Sequence, residues 1–189
     1  MYTFFSVINR MKYITRWGLM RNVEKENIQQ HSHETAVLAH ALALIANERF
    51  GENVNAERAA VLALDHDASE IVTGDMPTPI KYGSPLLRKS YAEIEDQAKS
   101  ILVNRLPDYL KPTYEKILDA ENAPEWPYVK AADTLSAYIK CVCELNAGNK
   151  EFVSAEKRIL KKLKDNPLPS LQVFIEEFLP AYYQTLDES

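Results

Sequence analysis

Two histidines and two aspartates, in three separate segments of this 189-residue chain, have the chemistry to close around one divalent cation. His66 and Asp67 are adjacent in AVLALDHDASEIVTGD, His31 lies upstream in NIQQHSHET, and Asp133 lies downstream in VKAADTLSAY. The set offers imidazole nitrogen and carboxylate oxygen but no thiolate. It suits Mn²⁺, Co²⁺, Fe²⁺ or Ni²⁺ with positions left open to water, rather than a closed structural zinc. A cation with exchangeable water is a tool for hydrolysis, so these residues point to an enzyme.

The His-Asp dipeptide is weak evidence by itself, because such pairs arise often by chance. Its company strengthens it. Glu70 follows Asp67 by three residues and His66 by four, so on a helix reaching Thr73 it would lie near both. Burying so many ionisable groups is costly without a cation to neutralise them, the alternative being a solvated polar face. Asp133 is flanked by Ala131, Ala132 and Leu135, and an aspartate in an apolar helical run needs a partner. His31, His33 and His40 compete for the first ligand position, and periodicity does not choose among them.

Other residues could hold a substrate. The stretch TGDMPTPIKYGSP carries three prolines and two glycines in 13 residues, so it forms a loop directly after the His-Asp segment. Thr73, Thr78 and Lys81 could surround a phosphate or sugar there, the plainer alternative being a proline-stiffened connector. Arg16-Trp17 offers a bidentate phosphate partner beside a stacking or wall residue, or else an aromatic anchor with its arginine in solvent. No Gly-rich phosphate loop, nucleophile elbow or Cys-His nucleophile pattern occurs.

Helical periodicity dominates the elements that must position these groups. Phe4, Phe5, Ile8 and Met11 recur at three- and four-residue steps in a short opening helix. Residues 30–50 carry a wide apolar stripe through Val37, Leu38, Ala41, Leu42, Leu44 and Ile45, closed by Gly51. Asn55 caps a helix running to Thr73, and Ser84 or Pro85 opens another through Ile94, Ala98, Ile101 and Leu102. Pro107, Pro112, Pro124 and Pro127 break the chain into shorter pieces before a strong period resumes over 127–145. Residues 151–164 present a dense basic face, read as solvated surface, and 171–183 form a last aromatic-rich helix. No strand or internal repeat is evident, so the expected fold class is all-α.

The length predicts a single domain over residues 1–189, and the 46% apolar content is enough for a core. A net charge of −5 argues against a broad grip on polymeric nucleic acid, so local cations must hold any phosphate. Cys141 and Cys143 have no second pair, which excludes a disulfide framework, favours a reducing cytoplasm and leaves them as helix packing residues. The N-terminus lacks a signal-peptide h-region, and no stretch approaches the ~18 apolar residues of a membrane span.

The segments RWGLMRNVEKENIQQHS, ALDHDASEIVTGDMPTPIKY and KAADTLSAYIKC, with NVNAER and ELNAGNKEF, closely resemble the bacterial HD-domain 5′-deoxynucleotidase family over most of the chain. The resemblance implies an HD-domain helical bundle holding one divalent cation (cobalt, manganese or another first-row transition metal). It also implies a homodimer and a metal-dependent phosphomonoesterase acting on deoxyribonucleoside 5′-monophosphates. It selects His31 rather than His33 as the first metal ligand, with His66, Asp67 and Asp133 as the others. Arg16 matches the phosphate-orienting arginine, Trp17 the sugar-facing aromatic, and Asp75, Met76, Pro77 and Thr78 the substrate loop, with Lys81 beside it. Glu70 is implied to sit beside the reactive water, and His31, Asp67 and Asp133 to touch substrate as well as cation. Gln30 stands where related sequences often carry Glu, which implies altered support for His31. The donor to the leaving 5′ oxygen is unassigned, Asp75 being one candidate. A phosphohydrolase for a cyclic nucleotide or a triphosphate, and a non-catalytic nucleotide-binding dimer, are the alternatives.

Overall fold

The computed structural model describes residues 1–77, 81 and 83–188. Local signals account for where its helices start. α1 (Phe4–Ile8) runs into a 3-10 turn (Asn9–Tyr13). α2 (Ile28–Phe50) begins at Asn27, whose side chain accepts from the Gln30 N–H while the Gln30 side chain accepts from the Asn27 N–H. This capping box fixes the first turn of the helix that carries His31. Gly51 closes α2 in the left-handed region at φ 68°. Asn55 caps α3 (Ala56–Leu64), and Ser84 caps α5 (Pro85–Val103), with the short α4 (Glu70–Thr73) between them. α6 (Lys111–Leu118), α7 (Trp126–Asn146), α8 (Val153–Lys164) and α9 (Pro169–Glu177) follow. Pro85, Pro112, Pro127 and Pro169 each lie in the first turn of a helix, where no N–H is needed. Pro112 and Pro127 therefore start helices rather than only breaking the chain.

The helix expected to continue to Thr73 is interrupted. α3 stops at Leu64, and residues 66–69 form a turn before α4 begins. His66, Asp67 and Glu70 therefore do not share one helix. Adjacent residues on an unbroken helix point about 100° apart, whereas a turn can aim neighbouring side chains at one point.

α2, α3, α7 and α9 enclose the main core. Ala39, Ala43, Ala59, Ala63, Ala131 and Ala132 are fully buried there, among Leu42, Leu62, Leu135 and Leu171. Small side chains at these interfaces let helix axes approach closely, which brings His31 on α2 near Asp133 on α7. A second cluster joins Phe4, Leu102, Leu106 and Leu118 to Ala68. The buried Ala68 anchors the turn beneath His66 and Asp67. In a third cluster Phe152, Cys141 and Ala155 receive Trp17 and Met20, seating the loop 14–27 on α7 and α8. Cys141 packs as expected, but Cys143 is exposed. Among the described residues β pairing is limited to one bridge, Thr15 to Asn27, as an all-α fold requires. No helix among them is long and apolar enough to cross a membrane.

Candidate active site

His31, in the first turn of α2, His66 and Asp67, on the turn after α3, and Asp133, in α7, converge. His31 Nε2 lies 3.2 Å from Asp133 Oδ1 and 3.6 Å from Asp67 Oδ2, and His66 Nε2 lies 3.2 Å from the same Asp67 oxygen. One ligand atom each from His31, His66 and Asp133 falls within 4.8 Å of the others. Donors bound about 2 Å from a first-row cation sit about 3 Å apart, so these spacings suit one ion. His33 is exposed and His40 half-buried, and neither joins the cluster.

The far nitrogens of both rings are engaged. His66 Nδ1–H donates to the Ala63 carbonyl at 2.7 Å, and His31 Nδ1 is 2.9 Å from Ser136 Oγ. Both Nε2 atoms are buried without a hydrogen-bond partner. Two buried nitrogen atoms left unpartnered beside two carboxylates are the arrangement a cation would complete. Burial works against the charged forms, yet the Asp67 carboxylate raises His66, and His66 with His31 holds Asp67 below the usual carboxylate range. Asp133 is also held low despite its burial, by Lys130 at 2.9 Å and by the two histidines. The residues present therefore fit a divalent cation.

Arg16 borders this cluster. A two-sided backbone clasp, Arg16 N–H to Glu26 O and Ile28 N–H to Ile14 O, closes the base of its loop. Its Nε donates to Glu26 Oε2 at 2.9 Å and its Nη1 is 3.5 Å from Asp67 Oδ2. Trp17 has φ 58°, a conformation that costs a non-glycine residue about 1 kcal/mol or more and persists only where its surroundings enforce it. They do: its indole N–H donates to Glu26 at 3.0 Å, its ring packs 5.4 Å from Phe152, and Asn22 donates to its carbonyl. Its backbone N–H also works to lower the Asp75 carboxyl, which burial pushes up.

Glu70, at the start of α4, is buried, and its Oε2 has no partner. Burial, then the Asp67 and Asp75 charges, push its carboxyl up to about 9, while Arg16 and Lys81 pull the other way. Such crowding of acids calls for added positive charge. Lys81 pairs with Glu95 at 2.7 Å and lies over the Tyr91 ring. Thr73 is half-buried, its hydroxyl donating to the Gly74 carbonyl and accepting from Tyr91. Met76 and Pro77 are half-buried, and the expected substrate residue Thr78 lies outside the described residues.

Three groups escaped the sequence reading. Glu26 is shared by Arg16 and Trp17. Ser136 also donates to Glu34 Oε2 at 2.5 Å, so it is this pair, and not Gln30, that stands behind His31. Gln30 is exposed and occupied in the cap of α2. Finally Glu144 in α7 accepts from the N–H groups of Val23 and Glu24 and from Asn149, and pairs with Lys140, which also donates to the Glu24 carbonyl. Burial alone would raise Glu144, but these donors hold it at about 2. The spacing signal was present: Glu34 and Ser136 each follow a ligand by three residues, and Glu144 and Asn149 lie in ELNAGN.

Comparison with known proteins gives the family and fold of the chain. A family model described as 5′-deoxynucleotidase YfbR-like matches residues 3–182. A 5′-deoxynucleotidase of Photobacterium profundum is 46% identical over 187 residues, which span 98% of this chain and 96% of that protein. A Yersinia pestis 5′-deoxynucleotidase is also 46% identical, over 98% of this chain and 95% of its own. An HD-domain phosphohydrolase from Listeria innocua superposes with a TM-score of 0.83 at 24% identity, covering 95% of this chain and 88% of the other. A cyanophage S-2L HD phosphohydrolase (DatZ), bound to dA and one catalytic Zn²⁺, superposes at 0.70 and 24% identity, over 95% of this chain and 96% of its own. This chain has the fold of HD-domain phosphohydrolases and belongs to the 5′-deoxynucleotidase YfbR-like family.

Proposed function

We infer that this protein removes the 5′ phosphate from deoxyribonucleoside monophosphates with the help of one divalent first-row transition-metal cation, for which cobalt and manganese are our candidates. The observation that carries the reading is the convergence of two unpartnered imidazole nitrogens and two carboxylates beside a partly buried arginine. His31, His66, Asp67 and Asp133 would hold the cation. When bound, it supplies Lewis acidity to a phosphoryl oxygen and makes water more acidic.

The chain's own groups do the rest. Arg16 presents a planar fork to the phosphoryl oxygens and offsets the charge that grows on them, and Glu26 fixes its orientation from behind. With the positive charge of a cation drawing its carboxyl down into the ionised form, Glu70 would orient the attacking water and accept its proton as the bond to phosphorus forms. Asp75, a carboxyl raised by burial and by Asp67, donates a proton to the 5′ oxygen as the ester bond breaks. Trp17, with the segment Asp75, Met76, Pro77 and Thr78, walls the sugar, and Lys81 adds positive charge on that side. A rigid wall disfavours an extra 2′-hydroxyl while leaving the base comparatively unread. Val37 and Leu44, seven residues apart on α2, are exposed apolar positions of the kind a second copy would cover in a homodimer.

Elemental analysis and phosphate release, measured together on His66→Ala and His33→Ala, test the assignment. His66→Ala should lose both cation and turnover, and His33→Ala should keep both. Turnover that survives in His66→Ala overturns the reading.

A further inference from the structure

We propose that Glu34 is a positioning residue that, through the Ser136 hydroxyl, sets which nitrogen of His31 carries the proton, and thereby the affinity of the site for its cation. The inference rests on the reading of His31 as a metal ligand, and it concerns groups that do not touch the cation or the substrate.

The relay crosses between two helices and back. Glu34 and His31 are three residues apart on α2, and Ser136 reaches both from α7. Ser136 itself follows Asp133 by three residues, so one hydroxyl links the two helices that bring ligands together. His31 and Ser136 are both fully buried. The bond between them is therefore shielded from solvent.

A serine hydroxyl has one proton to give. The Glu34 carboxylate accepts only, so Ser136 donates to it, at 2.5 Å. Ser136 then has only lone pairs to offer His31, 2.9 Å away, and the bond requires a proton on Nδ1. A neutral ring with its proton on Nδ1 presents a bare lone pair at Nε2, which is the buried, unpartnered atom facing Asp133 and Asp67. The carboxylates alone favour the opposite arrangement, because a proton on Nε2 could be donated to Asp133 3.2 Å away. Glu34 decides the contest. Without it, the Ser136 proton is free to turn to His31 Nδ1, 2.9 Å away. The bond then reverses, the ring proton moves to Nε2, and the nitrogen meant for the cation is blocked.

The same chain also raises the donor strength of His31. A carboxylate behind a hydroxyl draws the Nδ1 proton outward and leaves more electron density at Nε2, as a carboxylate behind a metal-bound imidazole does directly. Loss of a hydrogen-bonding partner of this kind weakens cation binding by roughly 10–100-fold.

The test is a thermodynamic cycle of Mn²⁺ binding to the cation-free protein, measured by calorimetry in wild type, Ser136→Ala, Glu34→Ala and the double variant. Each single variant should bind Mn²⁺ roughly 10–100-fold more weakly, and the double variant no more weakly than Ser136→Ala alone. If Glu34→Ala does not fold, Glu34→Gln takes its place in the cycle with a smaller loss expected. Losses that multiply in the double variant mean that Glu34 acts as an independent charge, and they overturn the relay. So does wild-type affinity in Ser136→Ala. The ¹⁵N shifts of the His31 ring at pH 8 give a readout without any cation: Nδ1 should carry the proton in wild type and Nε2 in Glu34→Ala. An unchanged ring in Glu34→Ala overturns the proposal. A wild type that fails to bind Mn²⁺ would instead sink the metal site itself, and the ring spectrum would still judge the relay.

Discussion

Glu70→Gln should stabilise the cation-free protein while abolishing turnover. Burial and the charges of Asp67 and Asp75 push this carboxyl from 4.5 to about 9. A carboxyl raised in the folded state keeps a proton that the unfolded chain releases, so it favours unfolding as pH rises. The penalty is absent below about pH 4.5, where both states hold the proton, and it grows until the folded group ionises near 9. At pH 7 the unfolded chain has passed its own value by about 2.5 pH units, which corresponds to about 3 kcal/mol. Gln imitates the protonated acid and carries no such penalty. Urea unfolding of EDTA-treated protein should place Glu70→Gln about 3 kcal/mol above wild type at pH 7, with the gap closing toward pH 4.5. Mn²⁺ should narrow the gap at pH 7, because positive charge at the cluster lowers Glu70. Turnover should fall by roughly 10²–10⁴-fold, as expected for a lost proton acceptor. A variant no more stable than wild type, or a gap that ignores pH, refutes the electrostatic account.

Glu144 makes the opposite linkage. Its carboxyl, held at about 2, contributes about 3 kcal/mol that is complete above pH 4.5 and drains away as pH falls through 2, so the urea midpoints of wild type and Glu144→Gln should converge over that window. The same variant should raise KM more than it lowers kcat, since the loop it releases carries Arg16 and Trp17. Arg16→Lys should keep the cation by elemental analysis yet lose roughly 10²-fold or more in kcat/KM, because an ammonium does not reproduce the bidentate fork. Trp17→Ala should narrow the ratio of kcat/KM between a deoxy and a ribo monophosphate; an unchanged ratio would move the discrimination to the 75–78 segment.

The residues that converge were legible because their signals are local: a His-Asp pair that gains weight from its company, and an aspartate stranded in an apolar run. Helix ends were legible for the same reason, since Asn27, Gly51, Asn55 and Ser84 act through their own backbone neighbourhoods. The break at residues 65–69 was not. The period of Val61, Leu62, Leu64 and Ile71 continues across it, and the helix is interrupted by tertiary forces, with Ala68 drawn under Phe4 and Leu102 while His66 and Asp67 face α2. The choice of His31 over His33 needed the resemblance or the packing, because all three histidines of α2 look alike until α7 is placed beside them. Glu26, Glu34 and Glu144 went unremarked in the sequence, because Arg16, Trp17, Ser136, Val23 and Glu24, which partner them, lie 9 to 121 residues away.

The central claim is tested most directly by inorganic phosphate release from a substrate panel, with Mn²⁺ or Co²⁺ supplied. The panel needs a deoxyribonucleoside 5′-monophosphate, its ribo counterpart, a 3′-monophosphate, a cyclic monophosphate and a deoxyribonucleoside triphosphate. The account predicts efficient, EDTA-sensitive release from the deoxy 5′-monophosphate, well ahead of the ribo form, with the other three essentially untouched. Preferential cleavage of the cyclic nucleotide or the triphosphate, or release that survives EDTA, would contradict it.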